Sequence, residues 1–534
     1  MGSALKALHN TFSPKDPIDS QTSNSIKVFH KMGKHGVNIK TRQIDVLIVG
    51  AGISGIGAAY HLQKHCQGKS YAIIEARDAL GGTWDLFRYP GIRSDSDMFT
   101  FGYHFKPWHS PKAISPGDDI KNYIAEAASE NNITPNILFQ HKVISANWDS
   151  TKAKWLTEIQ DLQTGETCSF ISDFFFSAAG YYNYDKGYTP EFEGVENFSG
   201  DIIHPQHWPQ HLDYAGKNII VIGSGATAVT LVPALAATAG HVTMLQRSPS
   251  YIASKPEQDK LANLLRRLLP TKLAYRLIRW IKILQGLFIY NLAKRRPEKV
   301  KKLIREGVIE ALGANYPIDK HFKPSYQPWD QRACLVPDGD LFHAINNGSA
   351  SVVTEHIDKF TANGVTLKNG KSLAADIIVT ATGLSVDILG SYQLSVDQKP
   401  FNVADSYCYK GMMLSGLPNF AFSMGYTNAS WTLKSDLVAQ YVCRLINHMH
   451  KHQYHYCQPV LPENGIEAEP FIDFSSSYII RALDKLPKQG RKKPWKLNQN
   501  YILDRISLGY GSVVDDNMLF SSLWTTGPQT EPRK

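Results

Sequence analysis

The chain has 534 residues, 43% of them hydrophobic, 20% charged and 11% aromatic. That balance excludes wholesale disorder and collagen-like or coiled-coil architectures, and the length suits three or four domains of about 100–200 residues each. The net charge of +9 is concentrated, because fourteen Lys or Arg and a single acid, Glu298, stand between Lys260 and Arg305. The remainder is slightly acidic, so no general affinity for nucleic acid is expected. No run of about 18 apolar residues is free of charge, which argues against a conventional membrane span. The first twenty residues carry no apolar run with a small-residue cleavage site, and Lys6 stands where a myristoylation signal wants Ser or Thr. Six cysteines without a CxxC pair suit reduced thiols in a cytoplasmic protein, and no metal site is expected.

Residues 1–40 are polar and aperiodic and are expected to form a flexible or loosely docked extension. The first strong element is Ile44–Val49, a β-branched run that predicts a short buried strand. GAGISG follows, then Ile53–Cys66 with helix-compatible composition, then Tyr71–Glu75 as a second buried strand. Strand, glycine turn, helix and strand open a dinucleotide-binding unit. The same order recurs at Asn218–Ile222, GSGATA, Val229–Ala239 and His241–Gln246. Asp173–Gly180 precedes the second unit, and Asp376–Gly383 stands where a strand would return to close it. The predicted fold class is α/β, with two Rossmann-like dinucleotide-binding domains and a helical insert.

That insert holds the basic run, which Pro270 splits. Beyond Leu273, residues Ile278, Ile281, Leu284 and Phe288 follow helical spacing, while Arg276, Arg279 and Lys282 lie on another stripe. Two readings stand. One is a helical subdomain that packs its apolar face on the protein and leaves a solvated basic face. The other is an interfacial helix attracted to anionic lipid.

Gly50, Gly52 and Gly55 are spaced GxGxxG. The first permits a tight turn, the second lets backbone approach a pyrophosphate, and the third lets helix and strand pack closely. Unsatisfied N–H groups at the helix start then face the phosphates. Glu75 ends the second strand, where a carboxylate can accept from ribose hydroxyls and would repel a 2′-phosphate. The second turn reads Gly223, Ser224, Gly225, Ala226, Thr227 and Ala228, with Ala as the third small residue. Its second strand ends in Arg247 and Ser248, 24 residues or more after Gly223. Arg pairs with a 2′-phosphate through charge-assisted hydrogen bonds, and Ser can add another. One acid-ended and one Arg-ended site imply FAD plus NADPH. A disulfide reductase would need a redox cysteine pair, which the spacing does not supply, leaving a flavin enzyme that passes hydride on to oxygen.

The segment FSGDIIHPQHWP, with Phe198, Gly200, His204, Trp208 and Pro209, resembles the FxGxxxHxxxWP fingerprint of type I Baeyer–Villiger monooxygenases. GGTWDLFRYPGIRSD, with Gly81, Gly82, Trp84, Tyr89, Pro90, Gly91 and Asp95, is similar to their second fingerprint. The resemblance runs from about residue 43 to about 500 and extends to bacterial thioamide-activating members. It implies an enzyme that uses NADPH and O2 and delivers oxygen to ketones from a C4a-peroxyflavin, giving esters or lactones, and that also oxidises sulfides and thioamides. It implies catalytic roles for Arg332, in PWDQRACLVPDGDLF, and for Asp95 as its partner. A guanidinium keeps its charge near neutral pH and can hold an anion. Asp95 is otherwise a helix N-cap.

Ser54, Gly82, Thr83, Trp84 and Asp95 join the glycines and Glu75 as expected flavin-nucleotide contacts. His204 is expected to be a hydrogen-bonded hinge in the linker, Trp208 to pack the core, and Arg88 and Arg93 to contact flavin or brace their loop. Asn428–Trp431 is expected near the flavin pyrimidine edge, with Trp431 lining the pocket or packing. Where some relatives carry Lys before the catalytic Arg, Gln331 stands, so NADPH preference falls on Arg247 and Ser248. The implied division is an extension at 1–40, FAD-binding parts at 41–185 and 386–534, NADP-binding parts at 186–252 and 332–385, and the basic insert at 253–331. The competing readings are an N- or S-oxidising flavin monooxygenase without ketone activity, and a membrane-surface or partner-binding protein with vestigial cofactor sites.

Overall fold

The computed structural model describes residues 27–32, 38–331, 333–472 and 474–522. The run IDVLIV lies in a strand, Asn38–Val49, that pairs in parallel with Tyr71–Ile74 on one side and Thr167–Ser177 on the other. Leu47 and Ile48 are fully buried, as a β-branched run covered on both faces requires. Helix Ile53–His65 connects the first two of these strands. The sheet continues through His141–Asp149 and Lys154–Asp161, and Phe420–Phe422 joins Thr167–Ser177 from the C-terminal part of the chain.

The second sheet has five parallel strands in the order Ala350–Thr354, His241–Gln246, Asn218–Ile222, Ile377–Thr380, Asp201–Ile203. Helix Ala226–Ala236 follows its glycine turn. The chain enters this unit through Tyr182–Gly187 and leaves it through Leu384–Val386, and these two short strands pair antiparallel with each other.

Two expectations need correction. The extension is not wholly free of structure: Lys27–Met32 pairs antiparallel with Asn38–Gln43, so the first strand starts at Asn38, before Ile44. Residues 1–26 and 33–37 of that segment lie outside the described residues. The basic stripe of the insert is also not a solvated face. Of the helices Lys260–Leu268, Thr271–Arg295 and Pro297–Leu312, the long central one turns Arg279 inward.

Arg279 Nη1 donates to the carbonyls of Phe99 (2.8 Å), Thr100 (3.2 Å) and Gly102 (2.7 Å). These carbonyls lie around the C-terminus of the short helix Met98–Phe101, and the guanidinium satisfies them together with the Thr432 hydroxyl, which also donates to Thr100 O. Its Nη2 lies 3.9 Å from Asp436, in helix Trp431–Lys451. Burial raises the Asp436 carboxyl, but hydrogen bonds from His104 and His61 outweigh it and hold the group below its ordinary range. Lys282 is likewise drawn in, against Asp259. Only Arg276 of the three remains exposed. Breaking a buried charge pair costs roughly 3–5 kcal/mol. Arg279→Met is therefore expected to lower the thermal unfolding temperature clearly, whereas Arg276→Met leaves it in place; equal small effects in calorimetry would contradict this packing.

Candidate active site

A cavity of about 530 Å³ opens between the two sheets and takes its walls from both nucleotide units. On the first unit Gly50, Gly52, Ser54, Glu75, Gly82, Thr83, Trp84 and Asp95 line it. The glycines have separate reasons. Gly50 has φ +100°, and a Cβ on it would lie 2.6 Å from Ala178 O. A Cβ on Gly55 would lie 1.9 Å from Gly50 O, so this position sets the closeness of helix and strand. Gly52 faces Gly82, its own Cβ falling 3.5 Å from Gly82 Cα, which leaves a narrow gap between two glycine turns. Helix Ile53–His65 has no side-chain cap, so its first N–H groups point into that gap. An uncapped helix start beside a gap that side chains would fill is the cradle a pyrophosphate requires.

Glu75 is buried and accepts the Ala51 N–H at Oε2 (2.7 Å) and the Arg77 N–H at Oε1 (2.9 Å). Burial pushes its carboxyl above the ordinary value, against the pull of those two donors. Each carboxylate oxygen can accept a further hydrogen bond, and Glu75 lines the cavity. Ser54 Oγ accepts from the Trp431 indole N–H at 2.7 Å, and Trp431 stacks on Tyr181 with centroids 5.1 Å apart. Trp431 therefore both lines the cavity and packs, and it starts helix Trp431–Lys451. Tyr181 was not singled out from sequence; its signal is an aromatic directly after Gly180, three residues beyond the end of the strand Thr167–Ser177.

Asp95 is half-buried at the cavity wall. The cap of the following helix is Asp97, whose side chain accepts the Thr100 N–H at 3.0 Å, so capping does not account for Asp95. Arg88 and Arg93 brace the loop: Arg88 pairs with Asp85, and Arg93 reaches Asp340 on the second unit. Gly91 presses on that unit too, since its Cβ would lie 2.7 Å from Ala234 Cβ. Arg332 lies outside the described residues. Cys334 and Leu335, just after it, line the cavity.

On the second unit Gly223 has φ +141°, and a Cβ there would lie 2.3 Å from Ala381 O. Gly225 is open, with nothing within 4 Å of its Cβ position. Ala228 is fully buried where a third glycine could stand. Ser224 Oγ donates to Ser248 O at 2.9 Å, tying the turn to the end of the next strand, where Arg247 and Ser248 are exposed. Ala226 and Thr227 reach the cavity, whereas Gly223, Ser224, Gly225, Arg247 and Ser248 lie beyond its lining.

The linker fingerprint does not line the cavity. Phe198 is buried against Phe360, and a Cβ on Gly200 would lie 2.1 Å from Asp376 O. His204 Nε2–H donates to Gly383 O (3.1 Å) and its Nδ1 accepts the Gln206 N–H (3.2 Å). Trp208 packs on the second unit's core, and Pro209 O accepts the Leu212 N–H. The Cys66 thiol donates to the backbone carbonyl of Cys443 although the two are far apart in sequence, but neither residue lines the cavity.

A family model described as an NAD(P)-binding Rossmann-like domain matches residues 48–112. Over 482 residues, 90% of this chain and 98% of the other, the sequence is 50% identical to the FAD-containing monooxygenase EthA of Mycobacterium tuberculosis. The chain belongs to the FAD-containing monooxygenases. Within that family it is also 50% identical over 498 residues to the probable FAD-binding monooxygenase AlmA of an Acinetobacter species, covering 92% of this chain and 99% of that one. Its fold is shared with an oxidized steroid monooxygenase bound to NADP, at a TM-score of 0.70 and 20% identity over 90% of this chain and 99% of the other.

Two glycines of the monooxygenase separate packing from binding. Gly55→Ala must displace backbone and is expected to cost at least about 1–3 kcal/mol, read as a lower unfolding temperature. Gly225→Ala meets nothing and should leave that temperature unchanged; a comparable loss in both variants would contradict the assigned roles.

Proposed function

We propose that the chain is an NADPH- and O2-dependent Baeyer–Villiger monooxygenase that converts ketones to esters or lactones and also oxidises sulfides and thioamides. The observation that carries this reading is one cavity lined by the first glycine turn and by Ala226 and Thr227 at the uncapped start of the second unit's helix, in a chain bearing the complete FxGxxxHxxxWP fingerprint. FAD held there would, when bound and with NADPH as reductant, supply the oxygen-activating chemistry.

The chain's own residues do the rest. Gly52, Gly82 and the start of helix Ile53–His65 hold the FAD pyrophosphate, and Glu75 orients its ribose. Arg247 and Ser248 grip the NADP 2′-phosphate, with Gly223, Gly225, Ala226 and Thr227 presenting backbone to its pyrophosphate. Trp84, Trp431 and Tyr181 give the cavity aromatic walls that displace water from the reacting centre. Arg332 is the permanent cation that holds negative charge developing at the transferred oxygen, and Asp95 orients its guanidinium.

Incubation with an aliphatic ketone, NADPH and air should give ester. Arg332→Ala should still let NADPH reduce the flavin while ester formation falls by about a hundredfold or more, the loss typical of a removed anion-stabilising group. Normal ester yield from that variant would overturn the role of Arg332. Sulfoxide without any ester from the unaltered chain would instead assign it to the N- or S-oxidising class.

A further inference from the structure

The long insert helix Thr271–Arg295 buries Tyr275, Ile278 and Ile283 together with Arg279 against the protein and leaves a second apolar stripe in solvent. Arg279 and Lys282 point inward to Asp436 and Asp259. On the opposite face Leu273, Leu277, Trp280, Leu284 and Phe288 recur at i, i+4, i+7, i+11 and i+15. All five are exposed, from 37% at Trp280 to 68% at Phe288. The preceding helix repeats the pattern with exposed Leu261, Leu264 and Leu268. Arg505 lies over both Trp280 (5.2 Å) and Tyr510 (5.7 Å), which extends the face to the exposed Ile506 and Tyr510. So broad an apolar face left in solvent, in addition to the apolar residues the helix already buries, marks an interaction surface.

We propose that this face docks on an anionic lipid surface. Exposed Lys272 and Arg276 flank the stripe, and exposed Arg267, Arg295 and Arg296 stand at its ends, within a segment of fourteen cations and one acid. A second copy of the chain would set two such segments against each other, whereas an acidic bilayer neutralises one. Among the described residues no helix is long and apolar enough to cross a membrane, so the helix lies in the interfacial plane with its outer stripe immersed. The immersed helix is also one contact from the cavity. Arg279 holds the backbone of Met98–Phe101, and Phe101 lines the cavity beside Trp84. A substrate dissolved in the bilayer would thus meet the protein on the side where its cavity wall is anchored.

The test is sedimentation of the flavin-loaded full chain with phosphatidylcholine vesicles with and without phosphatidylglycerol. The protein should pellet with the anionic vesicles and be released by high salt. Leu284→Asp combined with Phe288→Asp should reduce the bound fraction by about tenfold or more, and Lys272→Glu with Arg276→Glu should abolish the preference for phosphatidylglycerol. Both pairs point away from the core, so the unfolding temperature and NADPH oxidation in solution should not change. Failure to pellet, or pelleting that both double variants retain, would overturn the proposal. So would light scattering that shows a dimer which Leu284→Asp with Phe288→Asp converts to monomer, because the face would then belong to a second copy. Sedimentation is read without turnover, so its failure leaves the monooxygenase reading untouched.

Discussion

Placing one nucleotide unit inside another makes the chain cross between them twice, and both crossings run through one short antiparallel ribbon, Tyr182–Gly187 with Leu384–Val386. His204 fastens that ribbon. Its ring occupies the space a Cβ on Gly187 would take, and it donates to the carbonyl of Gly383, immediately before the returning strand. Burial holds the imidazole below its ordinary value, so the neutral ring that donates from Nε2 and accepts at Nδ1 is favoured near neutral pH. The cavity depends on this clasp, because its two walls belong to units that the ribbon alone joins covalently. Arg93 with Asp340 and Gly91 against Ala234 add a second, noncovalent seam close to Asp95.

The insert shows how a buried charge can fix the rotation of a helix that is apolar on both its inner and its outer face. Arg279 is inward because three carbonyls around the end of Met98–Phe101 and the Asp436 carboxylate need a multiply donating cation. Asp436 in turn is held by His61 and His104, from elements far apart in sequence. Once these groups fix the helix, Tyr275, Ile278 and Ile283 pack inward beside Arg279, and Leu273, Leu277, Trp280, Leu284 and Phe288 are left outside. The same contacts set the position of Phe101 and therefore part of the cavity wall.

Much of the site was legible in the sequence because it is local. The strand Asn218–Ile222 and the strand His241–Gln246 have the bounds read from their β-branched and apolar runs, and the first glycine-turn helix differs from its reading by one residue at its end. Glycine spacing reports backbone collisions within a few residues, as with Gly55 and Gly50, so it can be read without a fold. What was not legible depends on partners far along the chain. Arg279 looks like part of a solvated stripe until Phe99 and Asp436 are beside it. The choice between Asp95 and Asp97 as a cap rests on a one-turn geometry that SDSD leaves ambiguous. The stack of Trp431 on Tyr181 and its bond to Ser54 join three segments that no local pattern connects.

The central claim is that two dinucleotides, told apart by Glu75 and Arg247, meet in one cavity. Its most direct test is the anaerobic bleaching of the bound flavin by NADPH and by NADH, followed by stopped flow in the unaltered chain and in Arg247→Ala. NADPH should reduce the flavin in the unaltered chain, and at subsaturating NADPH the variant should be slower by about tenfold or more, the equivalent of one lost charge-assisted hydrogen bond, with NADH unaffected. A chain that retains no flavin, flavin that NADPH leaves oxidised, or equal slowing with both nucleotides would contradict the account.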